Sequence, residues 1–526
     1  MYRHKAHSIS SHSLVLWGLL VLGFPVISLG VLLDDADFRA VPIVAGEPLH
    51  GVHTILREAA NSPRRILIFG DSQETSPSGA GSVYVPHLQM QFKNRFRYVG
   101  ETPFYGFSSM GSGQPGAAWL VGVSNGSMGP EYILDSTLPP GMLGTRNRLP
   151  QEGSDQELGS FFILLHDASL TRDDSLGNEE VMNPSSSIVA EILVRQTGKA
   201  SGARYIQRPT DNYNTWTANI GEGTFKIGQI KSAPGYALGQ SAPLSRGNKN
   251  YHRVEIFGDN LEIPTEILAV RFADISRRIG IVAHSFSLGG YTSNSLRTLH
   301  GLCGGVLNAV GGHLAILQYG ANDVVEVGPE EFENRLHQLI DFIRNSVNDP
   351  CFPIIIAGDG WRYLPPELEA RQDAFPGAAA RVARSRERVT ALNMRRVMEE
   401  KYPYWGEGKR DHVIDGVHLS AEAQVDLAET LANIILPPID GSCRGDFNGD
   451  GTVDGYDLGL LVSEYGSGES NPNSCAVYYD LNGDGYVNTD DFDLILELIG
   501  DCPAEYFIET LGPSLQINVD GDSYSN

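Results

Sequence analysis

The sequence predicts one α/β domain, divided by a β-rich insertion and followed by a small acidic C-terminal module. A short apolar run at residues 65–69 ends in Gly70 and has the character of a strand buried on both faces. Strand and helix patterns alternate again after Ala283, which favours a parallel sheet covered by helices on both sides. Between these two parts the chain is rich in Gly, Ser, Asn and Pro, and its apolar runs are short.

Acidic residues dominate the charge of the chain and are concentrated at its C-terminal end. The 526 residues include 39 basic and 64 acidic side chains, which gives a formal net charge of −25. Residues 443–526 hold 17 of the acidic side chains and one basic residue, Arg444. This charge excludes nucleic acid and anionic membrane surfaces as the main binding partners.

The N-terminal segment, residues 1–33, has the pattern of a secretory signal peptide. Arg3 and Lys5 precede an apolar stretch from Leu14 to Leu33, the order expected of such a signal. An uncleaved anchor is the alternative, because about 20 apolar residues are enough to span a bilayer. We therefore expect an exported protein (extracellular, on the cell surface or periplasmic) that contacts a membrane only through this segment.

The α/β domain is expected to comprise residues 60–100 and 283–437. Its elements after the first strand are a helix at 84–96, a strand at 314–319, a helix at 330–346, a strand at 353–357, one long charged helix at 378–401 and a final helix at 421–436. Ser420 is the expected N-cap of the final helix.

Residues 101–282 predict a β-rich insertion, with a sandwich as its expected form. Its apolar runs are bounded by turn residues and lie at 161–165, 188–194, 224–227, 254–257 and 267–272. Trp119, Trp216 and Trp361 are candidate sugar-stacking residues, although a Trp is more often part of a core.

Four short polar motifs occur along the chain, and two of them directly follow predicted strands. They are Gly70-Asp71-Ser72, Gly289-Gly290-Tyr291-Thr292-Ser293, Gly320-Ala321-Asn322-Asp323 and Asp415-Gly416-Val417-His418. Open α/β sheets bind their ligands at the carboxyl ends of the strands, so the first and third motifs are expected at one edge.

This set of motifs resembles the four blocks of the SGNH (GDSL-type) hydrolases, whose domain is a flavodoxin-like, three-layer α/β fold. The resemblance implies that Ser72 is the nucleophile and that Asp415 and His418 complete a catalytic triad. It also implies an oxyanion hole made by the backbone N–H groups of Ser72 and Gly290 and the side-chain amide of Asn322. The chemistry suits these residue types, because a serine hydroxyl needs an imidazole base and the imidazole needs a carboxylate partner. Catalysis of this kind requires no cofactor.

Two alternatives concern the assignment of these blocks. About 215 residues separate the first block from the second, a gap that the insertion explains, and Gly111-Ser112-Gly113 is the alternative second block. The run from His284 to Gly289 is similar to the nucleophile elbow of α/β-hydrolases, with Ser287 as the nucleophile. Ser285 stands where that motif has its first glycine.

The acidic tail contains two copies of a calcium-loop pattern, 34 residues apart. Each copy has oxygen-bearing side chains at positions 1, 3, 5, 9 and 12, a glycine at position 6, and an expected carbonyl ligand at position 7. Because calcium takes about 6–8 oxygen ligands, the pattern predicts two structural Ca²⁺ ions. The candidate ligands are Asp446, Asn448, Asp450, Thr452, Asp454 and Asp457, and then Asp480, Asn482, Asp484, Tyr486, Asn488 and Asp491.

Each loop is followed by an apolar helix pattern, and the duplicated unit resembles a type I dockerin domain over residues 443–502. The resemblance implies a small all-α, EF-hand-type module that tethers the chain to a cohesin-type or cell-surface scaffold partner. Residues 503–526 are expected to form a flexible C-terminal tail.

The chain has five cysteines, at 303, 351, 443, 475 and 502. Their number allows one or two disulfides outside the cytosol and leaves at least one thiol unpaired. A bridge between Cys443 and Cys502, or one that uses Cys475, fits their positions around the acidic module.

The motifs together predict a secreted serine esterase of the SGNH type. Its expected substrate is an acylated polysaccharide, with O-acetyl as the expected acyl group, and its expected tether is the calcium-dependent module. The alternatives are a lipid esterase or thioesterase of the same fold, and a catalytically degenerate surface protein that binds glycans or acts as a scaffold.

Overall fold

The computed structural model describes the following residues. In the α/β domain they are 37–47, 49–72, 84–96, 100–102, 104, 278–358, 364–401, 413 and 416–436. In the insertion they are 119–120, 131–133, 144–146, 162–167, 188–196, 203–207, 221–227, 235–244, 251–258 and 266–276, and in the C-terminal module 445, 447, 452–463, 465–466, 479–481 and 486–501.

Several sequence predictions concern positions outside these described residues. They are the signal segment, Gly111-Ser112-Gly113, Trp216, Trp361, the triad residue Asp415, the loop residues Asp446, Asn448, Asp450, Asn482 and Asp484, and the tail 503–526.

The elements of the first and middle parts of the chain are mostly short strands. The first part forms β1 (Val44–Gly46), α1 (Leu49–Arg57), β2 (Arg64–Gly70) and α2 (Tyr84–Phe96). The middle part forms β3 (Trp119–Leu120), β4 (Glu131–Ile133), β5 (Gly144–Arg146), β6 (Phe162–Asp167), β7 (Ile188–Gln196), β8 (Ala203–Gln207), β9 (Gly221–Thr224), β10 (Lys226–Ile227), β11 (Gly235–Gln240), β12 (Tyr251–Gly258) and β13 (Glu266–Asp274).

Strands and helices alternate in the third part of the chain. It forms β14 (Ile281–Ser285), α3 (Ser295–Leu299), α4 (Gly304–Val310), β15 (Leu314–Gln318), α5 (Asp323–Glu326), α6 (Pro329–Val347), β16 (Ile354–Ile356), α7 (Pro366–Asp373), α8 (Phe375–Ser385), β17 (Val389–Leu392), α9 (Met394–Lys401) and α10 (Ala421–Ile435). The C-terminal module forms β18 (Thr452–Val453), α11 (Gly455–Ser463), α12 (Thr489–Leu498) and β19 (Gly500–Asp501).

The central sheet has the strand order β1-β17-β16-β15-β2-β14. All neighbours in it are parallel except β1, which pairs antiparallel with β17. The strand β2 lies between β14 and β15, so two segments that follow the insertion hold it on both sides.

Helices cover both faces of this sheet, as the alternation in the sequence predicts. In β2, Leu67 and Phe69 belong to an apolar cluster with residues of α4, α6 and α8. Ile66 and Ile68 point to the other cluster, with residues of α1, α2, α9 and α10. Every residue from 66 to 70 is buried, which explains why the strand reads as a continuous apolar run. The result is a three-layer α/β arrangement.

The middle part of the chain folds into two further sheets, with the orders β10-β11-β7-β13-β5-β4 and β3-β6-β12-β8-β9. One buried apolar cluster contains residues of both, among them Ile192 and Val270 from the first sheet and Tyr205 and Ile256 from the second. Each of the five apolar runs predicted as strands contributes to a strand of these sheets.

The single long helix predicted at 378–401 is wrong. The segment forms α8, β17 and α9, and Arg388 between them adopts a left-handed φ of 56°. The helix α8 has already ended at Ser385, because Arg386 is extended, with φ −132° and ψ 125°. The run Val389-Thr390-Ala391-Leu392 then enters the sheet as a fully buried strand. Its apolar and β-branched residues suit a strand better than a solvated helix.

The boundaries of the predicted domain also differ from the structure at two places. The segment β1 to α1 precedes the predicted start at residue 60 and packs into the same core. The predicted end of the insertion at residue 282 falls inside β14, which is a strand of the central sheet. The other predicted elements of the domain match observed ones within three residues at each end.

A buried group of charges joins the middle part of the chain to β2. Arg271 on β13 contacts Glu101 at 3.0 Å and Glu191 on β7 at 2.7 Å, and Arg65 on β2 also pairs with Glu101. Burial alone would raise the pKa of Glu101, but the guanidinium groups of Arg271 and Arg65 lower it below its usual value. Arg278 pairs with Glu191 in the same group.

The two cysteines among the described residues differ in state. Cys303 is a buried free thiol, and burial raises its pKa to about 12. Cys351, just before β16, is disulfide-bonded.

None of the helices formed by the described residues is both long enough and apolar enough to cross a membrane.

Candidate active site and calcium loops

The first motif lies at the carboxyl end of β2, in the middle of the sheet. Gly70 is the last residue of the strand and is paired with Gln318 of β15. Asp71 and Ser72 follow it, and Ser72 is only 6% exposed. This is the edge of an open α/β sheet where ligands bind.

The second motif is brought to the same place by the loop that leaves β14. The N–H of Phe286 donates to the carbonyl of Ile68 at 2.7 Å, and the N–H of Leu288 donates to the carbonyl of Gly70 at 3.3 Å. Gly290 follows, with a φ of 80° that glycine adopts without strain. A Cβ at this position would meet no atom within 4 Å, so the backbone conformation is what requires glycine here.

The third motif is bonded directly to the second. The side-chain amide of Asn322 donates to the carbonyl of Tyr291 at 3.0 Å. The carboxylate of Asp323 accepts bonds from the hydroxyl of Ser293 at 2.6 Å and from its N–H at 3.0 Å. These bonds fix the loop around Gly290 relative to the end of β15.

Asp323 is fully buried beneath this loop. Burial raises the pKa of its carboxyl above the usual value, and the bonds from Ser293 and the ion pair with Arg335 of α6 oppose that rise. Arg335 lies 3.2 Å from the carboxylate and also contacts Glu326. The carboxylate therefore has a cation and two donors to compensate for its loss of water.

The fourth motif places an imidazole next to the hydroxyl of Ser72. The Nε2 atom of His418 lies 2.9 Å from the Oγ atom of Ser72, although the two residues are 346 positions apart in the chain. Val413 and Leu419 form an antiparallel bridge around the short loop, and Gly416 adopts a φ of 81° at its tip. Ser420 then caps α10 by accepting a bond from the N–H of Ala423, as predicted.

The geometry favours Ser72 over Ser287 as a nucleophile. Among the described residues Ser72 has the imidazole contact, whereas the buried hydroxyl of Ser287 has no hydrogen-bond partner there. The nearby His284 is also buried, and its Nδ1 atom accepts a bond from the N–H of Phe104. Within the part of the chain that the structure describes, Ser287 therefore has no histidine contact of the kind that the elbow interpretation requires.

The two calcium-loop copies have matching geometry at their twelfth positions. Asp457 accepts bonds from the N–H groups of Phe447 and Asp454 at 2.7 and 2.9 Å. Asp491 accepts bonds from the N–H groups of Leu481 and Asn488 at 2.6 and 2.8 Å. Both carboxylates are fully buried, so each closes its loop between positions 2, 9 and 12.

The ninth positions have a second role that the spacing alone did not indicate. Asp454 and Asn488 accept bonds from the N–H groups of Tyr456 and Asp490, both at 2.7 Å, at the start of the following helices. The described residues contain no group of three or more His, Cys, Asp or Glu side chains that could hold a metal ion. The described oxygen donors at positions 9 and 12 nevertheless fit the chemistry of calcium, a hard cation.

Comparison with known proteins agrees with both resemblances. Residues 261–424 match the model of the GDSL-like Lipase/Acylhydrolase family, and residues 444–499 match the Dockerin type I domain. The first match includes the second, third and fourth motifs but not Ser72, which the structure brings to His418. No curated protein matches the chain.

Solved structures with similarity to the chain include two groups of esterases. One is described as "Peptidoglycan O-acetylesterase in action, 5 min", with 17% identity, a TM-score of 0.47, and coverage of 74% of this chain and 97% of that one. Another is a family two carbohydrate esterase from Clostridium thermocellum in complex with cellohexaose, with 9% identity, a TM-score of 0.24, and coverage of 55% and 96%.

The prediction of an ester hydrolase is thus confirmed at the level of the family. The chain contains a GDSL-like lipase/acylhydrolase domain followed by a dockerin type I domain, and it is a hydrolase of ester bonds.

Proposed function

We propose that this protein is an exported serine esterase that removes O-linked acyl groups, above all O-acetyl, from a polysaccharide. Its dockerin module binds two calcium ions and tethers the enzyme to a cohesin-type or cell-surface scaffold. The observation that carries the catalytic part is the 2.9 Å contact between His418 and Ser72 at the carboxyl edge of the sheet.

The first half of the reaction transfers the acyl group to the enzyme. The Oγ atom of Ser72 attacks the ester carbonyl while Nε2 of His418 accepts the hydroxyl proton. Asp415, three residues before His418 in the sequence, is the proposed carboxylate that orients the imidazole and stabilises its cationic form. His418 then gives the proton to the sugar oxygen, which leaves as an alcohol.

The oxyanion of the tetrahedral intermediate needs donors that are fixed before the reaction. The proposed donors are the N–H groups of Ser72 and Gly290 and the side-chain amide of Asn322. One hydrogen of that amide is bonded to the carbonyl of Tyr291, so the amide is held in one orientation and its second hydrogen remains for the substrate.

The second half of the reaction releases the acid. A water molecule gives a proton to Nε2 of His418 and attacks the acyl-enzyme carbonyl, and the same donors stabilise the second oxyanion. Collapse of this intermediate frees the carboxylic acid and returns the proton to Ser72.

The polysaccharide substrate and the export are supported by the module attached to the hydrolase domain. A dockerin domain holds an enzyme on a scaffold. Its loops need calcium, which is abundant outside the cytosol. The proposed calcium ligands in the described residues are Thr452, Asp454, Asp457, Asp480, Tyr486, Asn488 and Asp491, with carbonyl oxygens at 452 and 486. Bound calcium would neutralise carboxylates that otherwise repel one another.

Release of acetate from acetylated plant, algal and bacterial polysaccharides tests the proposal. The wild-type protein should release acetate from at least one of them, and the Ser72→Ala and His418→Ala variants should not. A folded wild-type protein that hydrolyses no acyl ester would overturn the catalytic assignment, whereas glycan binding without hydrolysis would favour a degenerate surface protein.

A lipid esterase is the second candidate, because apolar side chains are exposed on the segments that follow the second and third motifs. Leu299 and Leu302 are 55% and 67% exposed, and Val325 on the helix after Asn322 is 46% exposed. Hydrolysis rates on aryl esters of increasing acyl length separate the two. A preference for acetate supports the polysaccharide esterase, and a rise in rate toward long chains supports the lipid esterase.

A further inference from the structure

Tyr291 stands directly after the proposed oxyanion donor Gly290, and its N–H, its carbonyl and its hydroxyl are all engaged. The N–H donates to the carbonyl of Leu288 at 3.2 Å. The carbonyl accepts the bond from the side-chain amide of Asn322 at 3.0 Å. The hydroxyl lies 2.8 Å from the Nε2 atom of His300. Tyr291 therefore connects both Gly290 and Asn322 to a histidine that has no part in the proposed reaction.

The bond from Tyr291 to Leu288 closes a turn that has Gly289 and Gly290 at its centre. The φ of Gly290 is 80°, the value that the third residue of a type II turn adopts. The central peptide of such a turn carries the N–H of Gly290 and takes no part in the bond that closes the turn. That N–H group is therefore available to a substrate oxygen.

The side of the turn at Gly290 has no packing contact that would fix the peptide. A Cβ added at Gly290 would meet no atom of the described residues within 4 Å, and glycine adopts either sign of φ with similar ease. Rotation of the central peptide converts a type II turn into a type I turn, in which φ of the third residue is about −90° and the N–H points to the opposite face. The hydrogen bonds at the ends of the turn must therefore keep the Gly290 N–H in its direction.

The two ends of the turn are fixed to the first and third motifs. The N–H of Leu288 donates to the carbonyl of Gly70 at 3.3 Å, two residues before Ser72. At the other end, the carbonyl of Tyr291 is bonded to Asn322. This second end is also supported by a side chain, because the hydroxyl of Tyr291 is bonded as well. A substitution can remove that support and leave every backbone group of the turn in place.

His300 is a rigid support for the ring of Tyr291. It is only 3% exposed, and its N–H donates to the carbonyl of Leu296 at 3.0 Å at the C-cap of α3. Its carbonyl accepts a bond from the N–H of Cys303 at 2.9 Å, just before α4. The two rings are in contact, with their centroids 5.5 Å apart and their planes inclined at 37°. Because packing already orders both rings, the bond between them costs little further side-chain entropy.

We propose that His300 is a positioning residue of the oxyanion hole, which acts through the hydroxyl of Tyr291 to keep the turn of Gly290 in its type II form. This inference rests on the proposed esterase function. Loss of the bond between His300 and Tyr291 loosens the end of the turn, and the central peptide then spends part of its time with the Gly290 N–H turned away. Because the oxyanion forms only during the reaction, the cost falls on kcat and not on KM.

Steady-state kinetics on an acetate ester test the proposal with a pair of substitutions. Tyr291→Phe removes the hydroxyl and keeps the ring, and His300→Leu removes the imidazole. Each should lower kcat about threefold to tenfold, the equivalent of one neutral hydrogen bond, and change KM by less than about twofold. His300→Gln keeps a polar group near the position of Nε2 and should regain most of the wild-type kcat. Thr298→Ala, at an exposed position of α3, is the control and should keep the wild-type kcat.

A double substitution shows whether the two residues act through one bond. The variant Tyr291→Phe/His300→Leu should lose no more than the larger of the two single losses, because the second change removes a bond that is already absent. Single losses that multiply, a wild-type kcat in both single variants, or a change confined to KM would overturn the proposal. If His300→Leu fails to fold, Tyr291→Phe decides alone, because it keeps the ring that packs against the core.

Hydrogen exchange of the amide at position 291 gives a readout that does not depend on activity. This amide closes the turn through its bond to Leu288. Its exchange should be about threefold faster or more in Tyr291→Phe than in the wild type, and unchanged in Thr298→Ala. An equal rate in Tyr291→Phe and the wild type would contradict the role of His300. A folded wild-type protein that hydrolyses no ester would contradict the esterase proposal, and the exchange rates would still decide whether His300 holds the turn.

Discussion

The hydroxyl of Ser293 donates a 2.6 Å hydrogen bond to the buried carboxylate of Asp323. This bond joins the loop of Gly290 to the residue next to Asn322, so two proposed oxyanion donors share one support. Arg335 from α6 holds the same carboxylate from the other side. In the sequence, Asp323 is next to Asn322 and Ser293 lies three residues after Gly290, so the support is close to the proposed donors but is not one of them.

Removal of this hydroxyl should slow the reaction without weakening substrate binding. We expect Ser293→Ala to lower kcat about tenfold to a hundredfold and to change KM little, because a hydrogen bond to a charged group is worth roughly 1.5–3 kcal/mol. Ser293→Thr keeps the hydroxyl and is the control. Steady-state kinetics on an acetate ester measure the effect, and a change confined to KM would contradict a positioning role.

The nucleophile assignment predicts opposite results for two serines. Ser72→Ala should lower kcat by a factor on the order of 10⁶, the cost of losing the nucleophile of a triad. Ser287→Ala should leave kcat within a few-fold of the wild type, because its hydroxyl lacks an imidazole contact among the described residues. Loss of activity in Ser287→Ala alone would transfer the role to the elbow motif.

Loss of the Asn322 amide should reduce transition-state stabilisation. We expect Asn322→Ala to lower kcat by about 10²–10³, the usual cost of one oxyanion donor. Val325→Ala, at an exposed position on the short helix that follows Asn322, should keep wild-type activity. An Asn322→Ala variant with unchanged kcat would remove this residue from the oxyanion hole.

The stability of the protein should fall when the pH decreases from 6.5 towards 4. Burial lowers the pKa of His53 to about 4, and burial together with Arg64 and Arg65 lowers that of His313 to about 4. The unfolded chain therefore binds more protons in this range. Each histidine should remove about 2 kcal/mol from the free energy of unfolding between pH 7 and pH 5.

A single substitution isolates the part of this effect that belongs to His53. His53 donates through Nε2 to the carbonyl of Ile434, and His53→Gln keeps a donor but does not titrate. Urea unfolding at pH 7 and pH 5 should show a smaller difference in the variant than in the wild type. Equal differences would mean that His53 is not neutral and buried in solution.

Each calcium loop should depend on its own twelfth residue. Asp457→Ala and Asp491→Ala should each reduce the calcium stoichiometry in isothermal titration from two to one, because both buried carboxylates close their loops. Asp493→Ala, an exposed residue on α12, should keep two sites. A wild-type protein that binds no calcium would contradict the ligand assignment of both loops.

The alternation of strands and helices in the sequence was sufficient to predict the central α/β domain and the strands that precede the first and third motifs. The first and third motifs each follow a buried apolar strand, and neighbouring parallel strands have their carboxyl ends at the same edge of the sheet. The division of residues 378–401 was missed because the strand β17 has only four residues and lies between two helical segments, so its pattern is too short to interrupt theirs. The pairing of β17 with β16 in the sheet makes the division evident.

The other features that the sequence did not predict are contacts between residues that are far apart in the chain. The partners Arg271 and Glu101 lie 170 residues apart in the sequence, and nothing near either residue indicates the other. The same applies to Ser293 and Asp323, which come from different motifs. Local patterns encode elements, whereas such contacts depend on the completed tertiary structure.

The position of β2 between β14 and β15 has a consequence for the order of folding. The strand β2, which ends two residues before Ser72, obtains its two neighbours from segments that begin at residues 281 and 314. During synthesis it must remain without sheet partners until more than 200 further residues have appeared, and pairing over such separations is slow. The sheets of the middle part can form first and shorten the distance that β2 has to bridge, because their strands pair among themselves.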